Sequence, residues 1–219
     1  MTDFAAEREV MVERQLRRRG ITEPDILDAF RAVPREEFIA PEYADQAYGD
    51  HPLPIEAKQT ISQPYIVALM IQAAAIKPGD KVLEVGSGSG YAAAVISRIA
   101  ARVVGVERQH DLLSVSRGRL ERLGYGNVEI VEGDGTRGWR EAAPFDAILA
   151  AASGSHVPPA LIEQLAPDGR IVMPLGEPGR VQELVKVTKR KDGRLKKENL
   201  GGVRFVPLIG EEGWSDARY

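Results

Sequence analysis

From Pro64 onward the chain alternates between two hydrophobic periods. The runs KVLEVG (81–86), RVVGVE (102–107), NVEIV (127–131), FDAILAAA (145–152) and RIVMPL (170–175) are short and rich in Val, Ile and Leu, as buried strands are. Between them lie segments at about 64–76, 90–100, 110–123 and 159–165 whose apolar residues recur at helical spacing. Strands alternating with helices predict a mostly parallel, doubly wound α/β sheet of the Rossmann-like kind. The end of the chain breaks the alternation. There VQELVKVTKR and LKKENLGGVRFVPL flank Asp192-Gly193, which predicts an antiparallel hairpin closed by a two-residue turn.

The first third of the chain follows a different pattern. Residues 4 to about 19 read as a charged helix stopped at Gly20, and Thr22-Glu23-Pro24 opens a second helix, with Ile26, Leu27, Ala29, Phe30 and Val33 on its apolar side, limited by Pro34. From Arg35 to Lys58 the prolines 41, 52 and 54 predict a mostly irregular segment. Phe38, Ile39, Tyr43, Tyr48, Leu53 and Ile55 predict that it is nevertheless ordered against the body of the protein. We expect a single structural domain in which residues 1–63 form an N-terminal extension packed on a core of residues 64–219. At their junction stands QTISQPY (59–65), where Pro64 suits the first turn of a helix and Ser62 or Gln63 could cap it.

Composition narrows the function. The 219 residues are 43% hydrophobic, enough for one well-buried core, and the formal net charge of −3 demands no polyanionic partner. Arg180 to Lys197 holds eight basic and two acidic residues, but without interleaved aromatics it reads as solvated hairpin faces rather than a nucleic-acid patch. The chain has no cysteine, which removes disulfides and thiolate chemistry, and no uninterrupted apolar stretch of the roughly 20 residues that span a membrane. An unprocessed, soluble, cytoplasmic monomer with no nucleic-acid or membrane partner is the expectation.

Candidate chemistry begins at LEVGSGSGY, where a strand runs into Gly86-Ser87-Gly88-Ser89-Gly90 and a helix follows at once. Three glycines at the carboxyl end of the first strand of a parallel sheet lie where such sheets bind nucleotides. A dinucleotide loop, G-x-G-x-x-G, would need glycine at position 91, which is Tyr91. The G-x-G-x-G pattern instead resembles motif I of class I S-adenosyl-L-methionine-dependent methyltransferases. Glu107, at the end of the second strand, can accept from both ribose hydroxyls, and Asp134, in Gly133-Asp134-Gly135 after the third, can accept from an adenine amino group.

YGDHPLPIEAKQTISQPYIVALM, VLEVGSGSGYAAAV, VEGDGTRGW, APFDAILAAA, VPPALIEQLAPDGRIVMPLG and VRFVPLIG together resemble, in order and spacing, the protein-L-isoaspartate (D-aspartate) O-methyltransferase family. The resemblance covers nearly the whole chain. It implies methyl transfer from S-adenosyl-L-methionine, yielding S-adenosyl-L-homocysteine, to the free α-carboxylate of L-isoaspartyl residues in damaged proteins and peptides, preferably in flexible segments. Repair would follow through a succinimide. Whether D-aspartyl residues are accepted stays open. The resemblance makes Ser62 the active-site serine, with Thr60, Ile61, Ser62 and Gln63 at the substrate. It assigns the cofactor to Gln59, Thr60, Ile61, Ser62, Gly86, Ser87, Gly88, Gly90, Glu107, Asp134 and Gly135. The chain departs from many members at LAAAS (149–153), where a threonine often precedes the alanines, and at Ile209, where some relatives have threonine.

The residues present suit such chemistry. An isoaspartyl carboxylate, with a pKa of roughly 3.5 to 4, is already ionised near neutrality and needs no general base. Only three histidines occur, widely separated, and no H-E-x-x-H spacing or G-x-S-x-G elbow is present, so no metal and no serine nucleophile are expected. Ser62 then donates a hydrogen bond that orients the acceptor. Two other readings stand beside this one: a methyltransferase of the same fold acting on another carboxylate or a small molecule, and a non-catalytic adapter that binds protein through the irregular segment.

Overall fold

The structure, a computed structural model, describes residues 2–216. Helix α1 (Phe4–Met11) starts at Asp3, whose carboxylate accepts from the Ala6 N–H at 3.1 Å. It continues as a π-helical turn (Val12–Leu16) and a 3-10 turn (Arg17–Arg19), and Gly20 ends it in the left-handed region at φ +94°. The expected first helix is therefore one run wound in three ways. Helix α2 (Pro24–Ala32) buries Ile26, Leu27, Ala29 and Phe30 and stops before Pro34. Residues 35–58 are short 3-10 turns plus strand β1 (Leu53–Pro54), which pairs antiparallel with β2 (Thr60–Ile61).

Helix α3 (Pro64–Ala74) opens with proline in its first turn and carries no side-chain cap. Gln63 turns away, its Nε2 donating to the Asp50 backbone and side-chain oxygens at 3.1 and 2.7 Å. The capping role expected of Ser62 or Gln63 is thus corrected. The missing N–H of Pro64 already removes one orphan donor.

Seven strands form the main sheet: β3 (Lys81–Val85), β4 (Arg102–Glu107), β5 (Val128–Glu132), β6 (Phe145–Ala150), β7 (Leu165–Leu175), β8 (Gln182–Lys189) and β9 (Leu195–Val203). Their order is β5-β4-β3-β6-β7-β8-β9, parallel from β5 to β7 and antiparallel from β7 to β9. Helices α4 (Tyr91–Ser97), α5 (His110–Arg122) and α6 (Pro159–Glu163) make the crossovers. Strand β7 begins earlier than its apolar run, because Leu165 pairs with Phe145 before residues 166–169 loop out and Arg170 rejoins opposite Ala147. The hairpin turn is also longer than expected. Arg190 N–H donates to Arg194 O, and Gly193, at φ +81°, donates to Arg190 O, so Lys191-Asp192-Gly193 form a three-residue loop.

The central strands β3, β4 and β6 are buried on both faces. Alternation along β3 turns Val82 toward a cluster that holds Met11, Phe30, Phe38, Ile71, Tyr91 and Leu120, and turns Leu83 and Val85 toward one that holds Phe145, Leu161 and Met173. The N-terminal extension shares the first cluster with α3, α4 and α5 rather than owning a core. Because β4 lies on one side of β3 and β6 on the other, the direction of winding reverses beside β3. At such a switch point the carboxyl ends of the strands leave a crevice.

Candidate active site

The crevice is walled by backbone. Gly86, Gly88 and Gly90 take φ of +82°, +52° and +87°, which side chains with a Cβ rarely tolerate, and the loop can therefore fold tightly over the end of β3. Gly86 N–H donates to Val106 O, and Glu107, buried at the end of β4, accepts from Gly88 N–H and Gln109 N–H, each at 2.9 Å. Strand β4 itself makes room. A Cβ on Gly105 would stand 2.1 Å from Ser87 Oγ and 2.6 Å from Ile130 Cδ1.

Glu84 is the strongest electrostatic feature. It sits on a strand buried on both faces, on the same side as Val82, and is 2% exposed with its Oε2 unpartnered. Burial pushes its pKa up to about 8, the charge of Glu107 adds to the shift, and the Ser87 hydroxyl offsets part of it. A buried carboxylate in this state is stabilised by a cation placed against it.

Three cavities meet here. A narrow one is lined by Thr60, Ile61, Ser62, Glu84, Gly86, Ser87, Gly88, Tyr91, Ala151 and Phe205, among others. A second, of about 310 Å³, runs past Gln59, Thr60, Gly86, Gly88, Glu107, Gly135, Ala151 and Ile209. The third is an open groove of about 830 Å³ bounded by Thr60, Ser62, Gln63, Ala151, Phe205 and the segment 178–182. Thr60 and Ala151 belong to all three. A group lying along the ends of β3 and β4 would therefore reach the floor of the groove.

The chain thus gathers Gln59, Thr60, Ile61, Ser62, Gln63, Gly86, Ser87, Gly88, Glu107 and Gly135 at one crevice. Ile61, 4% exposed, lines the narrow cavity and not the groove. Gly90 and Asp134, also expected at the cofactor, adjoin these cavities through Ser89, Tyr91 and Gly135 without lining them. Gly90 starts α4 and packs under α5, where a Cβ would lie 3.3 Å from Leu120 Cδ1, so its smallness serves helix packing. Asp134 turns its carboxylate to the protein: Oδ1 accepts from Thr136 N–H at 2.9 Å and Thr136 Oγ1 at 2.7 Å, and Oδ2 accepts from Glu211 N–H at 2.7 Å. That arrangement ties the turn after β5 to the C-terminal segment.

The histidines have other partners. His156 Nδ1 lies 2.9 Å from its neighbour Ser155 Oγ, His110 lies 3.6 Å from Glu132, and His51 Nδ1 lies 3.1 Å from Pro52 O. Sequence reasoning passed over Glu84, Tyr91, Ala151 and Phe205 as site residues. An acid between the buried Leu83 and Val85 of a central strand was the available signal for the first. Both family departures touch the lining, LAAAS through Leu149, Ala151 and Ala152, and the C-terminal block through Ile209.

The residues present fit S-adenosyl-L-methionine. The left-handed glycines leave space for close backbone approach, Glu107 keeps lone pairs free for hydroxyl donors, and the unpartnered Glu84 oxygen lacks the positive charge that a sulfonium amino acid carries.

Comparison with known proteins agrees with this geometry. A family model described as Protein-L-isoaspartate(D-aspartate) O-methyltransferase matches residues 6–213. The chain is 50% identical over 218 residues to the protein-L-isoaspartate O-methyltransferase of Koribacter versatilis (strain Ellin345), covering 100% of this chain and 97% of that one. It is 53% identical over 214 residues to that of Methylorubrum extorquens (strain PA1), covering 98% and 93%. Among solved structures, a protein-L-isoaspartate O-methyltransferase superposes with a TM-score of 0.85 at 32% identity, covering 94% of this chain and 66% of that one. Another such structure, from Plasmodium falciparum in complex with S-adenosyl-L-homocysteine, superposes with a TM-score of 0.79 at 30% identity, covering 92% and 97%. Glycine loop, strand-end carboxylate and crevice thus occur together in a chain matched from end to end, and the chain belongs to the protein-L-isoaspartate(D-aspartate) O-methyltransferase family.

Proposed function

We propose that the protein transfers a methyl group from S-adenosyl-L-methionine to the α-carboxylate of L-isoaspartyl residues in polypeptides, with the acceptor entering from the open groove. The observation that carries this reading is the sharing of Thr60 and Ala151 by the narrow cavity, the strand-end cavity and the groove, and of Ser62 by the first and last. When bound, S-adenosyl-L-methionine supplies an electrophilic methyl on a sulfonium whose leaving group is a neutral thioether.

The chain's own residues bind and orient. Gly86 and Gly88 let the backbone approach the ligand, Glu107 accepts from ribose hydroxyls, and Glu84 offers negative charge at the amino-acid end. Ser62 donates to one acceptor oxygen, leaving the other free for in-line approach at about 3 to 3.5 Å. Phe205, Tyr91 and Ala151 restrict water. No residue needs to take a proton, since the acceptor is already ionised.

Methylation replaces a poor leaving group with methoxide equivalent. The following backbone nitrogen can then attack the ester carbonyl, release methanol and close a succinimide, which water opens in part to normal aspartate. The 830 Å³ groove accords with a polypeptide acceptor, and flexible segments suit it because the kinked isoaspartyl backbone must leave its own fold to enter. Cytoplasmic residence as a monomer completes the proposal, in keeping with a cysteine-free chain in which, among the described residues, no helix is long and apolar enough to cross a membrane.

The test is a pair of peptides identical except for one isoaspartyl or aspartyl linkage, incubated with methyl-labelled cofactor. Label should enter the isoaspartyl peptide and not its partner. Equal labelling of both, or of neither, would refute the assignment.

A further inference from the structure

The open groove differs in charge from the rest of the molecule. The chain has a net charge of −3, yet the groove lining includes Arg180 and Arg204 and no Asp or Glu. Arg204 is exposed, and among the described residues it has no salt-bridge partner. Arg180 meets Glu177 at 3.1 Å, but with side chains 79% and 66% exposed the pair is weak and easily exchanged. Beside the two arginines stand Val181 and Val206, two of the four exposed large hydrophobic side chains among the described residues.

The backbone around Arg204 is held. Val203 pairs with Gln182 across the hairpin, and the buried Gln182 side chain accepts from Phe205 N–H at 2.7 Å and donates to Phe205 O at 3.3 Å. Phe205 lines the narrow cavity as well as the groove, while Arg204 and Val206, one residue to either side, are exposed. A guanidinium on a fixed backbone, with its donors free, is a recognition element for carboxylates.

We propose that Arg204, supported by Arg180, is a specificity determinant that favours isoaspartyl segments flanked by Asp or Glu. The proposal rests on the isoaspartyl reading of the site. The acceptor brings one carboxylate to Ser62, and acidic side chains within a few residues of it meet the two arginines along the groove. Lysine-flanked segments are disfavoured by like-charge repulsion. Because the arginines are solvent-exposed, the preference is modest and depends on salt.

Three isoaspartyl peptides of matched sequence, flanked on both sides by Glu, Gln or Lys, test it. At low salt kcat/KM should rank Glu above Gln above Lys, by about three- to tenfold per step, and the spread should collapse near about 0.5 M salt. Arg204→Gln should bring the Glu-to-Gln ratio within about twofold, and Arg204→Glu should place the lysine peptide above the glutamate peptide. Equal kcat/KM for the three peptides, or an unchanged ranking in Arg204→Glu, overturns the proposal. Fluorescence anisotropy of the same labelled peptides, with S-adenosyl-L-homocysteine present, reads the preference without turnover. If none of the peptides is methylated, the isoaspartyl reading falls, whereas equal affinities by anisotropy sink the charge preference alone.

Discussion

The wall of the cleft formed by the ends of β3 and β4 is buried and held by backbone, whereas the wall formed by residues 53–63 is partly exposed and loosely tied. On the first, Glu107 bonds two backbone N–H groups, Gly86 bonds β4, and Gly105 leaves no space for a Cβ. On the second, a two-residue strand pairing and the Glu56–Arg119 ion pair, at 2.8 Å, hold a loop in which Ala57 and Lys58 take φ of +53° and +57°. Left-handed backbone at a residue other than glycine costs on the order of 1 kcal/mol or more. The contrast teaches a division of labour. On our proposal the strand-end wall cradles the cofactor, and the 53–63 wall, which also reaches the cofactor through Gln59 and Thr60, faces acceptors of varied sequence.

Changes on either side should break this contrast differently. Ser62→Ala should lower isoaspartyl turnover by on the order of 10- to 1000-fold while cofactor affinity, read by calorimetry, changes by less than about threefold. Unchanged turnover would remove Ser62 from the acceptor's orientation. Glu107→Gln should act in the opposite sense, weakening cofactor affinity by about 10- to 100-fold with less effect on turnover at saturation. Gly105→Ala should destabilise the fold by about 1–3 kcal/mol in denaturant unfolding, because a methyl must displace Ser87 or Ile130. A neutral outcome would mean that the cofactor wall is less rigid than its contacts indicate.

Glu84 gives a pH test with two signs. Its carboxyl is raised to about 8 in the folded protein against an ordinary value of 4.5. The folded state therefore holds the proton more tightly. Its contribution to stability is fully present below about 4.5 and is lost as pH rises toward about 8. A cationic cofactor favours the ionised form, so affinity should instead rise several-fold between about pH 6 and 8. Both slopes should flatten in Glu84→Gln, and a wild-type affinity independent of pH would exclude the charge pairing. The smallest effect is expected at the 53–63 wall, where Arg119→Met should raise the peptide KM by up to about fivefold and leave cofactor affinity unaltered. A larger loss of cofactor affinity than of peptide affinity would reverse the assignment of the two walls.

Much of the architecture was legible in local pattern. The strands at 81, 102 and 145 start at their apolar runs, since a strand buried on both faces is largely hydrophobic, and the edge strand at 128 starts within a residue of its own. The glycine loop and Glu107 were legible for a related reason: each is an unusual residue at a strand end, and strand ends are where a parallel sheet exposes backbone. Less legible were residues whose role depends on what lies across from them. Asp134 has the position of an adenine acceptor, and its carboxylate is also held by Thr136 and the Glu211 backbone. Gly90 has the spacing and the left-handed backbone of a loop glycine and also makes room for Leu120 of α5. Gln63 has the place of a helix cap but holds Asp50.

By itself the sequence determined the doubly wound sheet, the C-terminal hairpin and the family, because these depend on periods and motifs carried by contiguous residues. Tertiary structure alone decided the meander order β7-β8-β9, the partners of Asp134 and Gln63, the unpartnered burial of Glu84 and the convergence of Thr60, Ala151 and Phe205 on one crevice. Each of these joins residues far apart in the chain, and their environment is set by packing that no local pattern encodes.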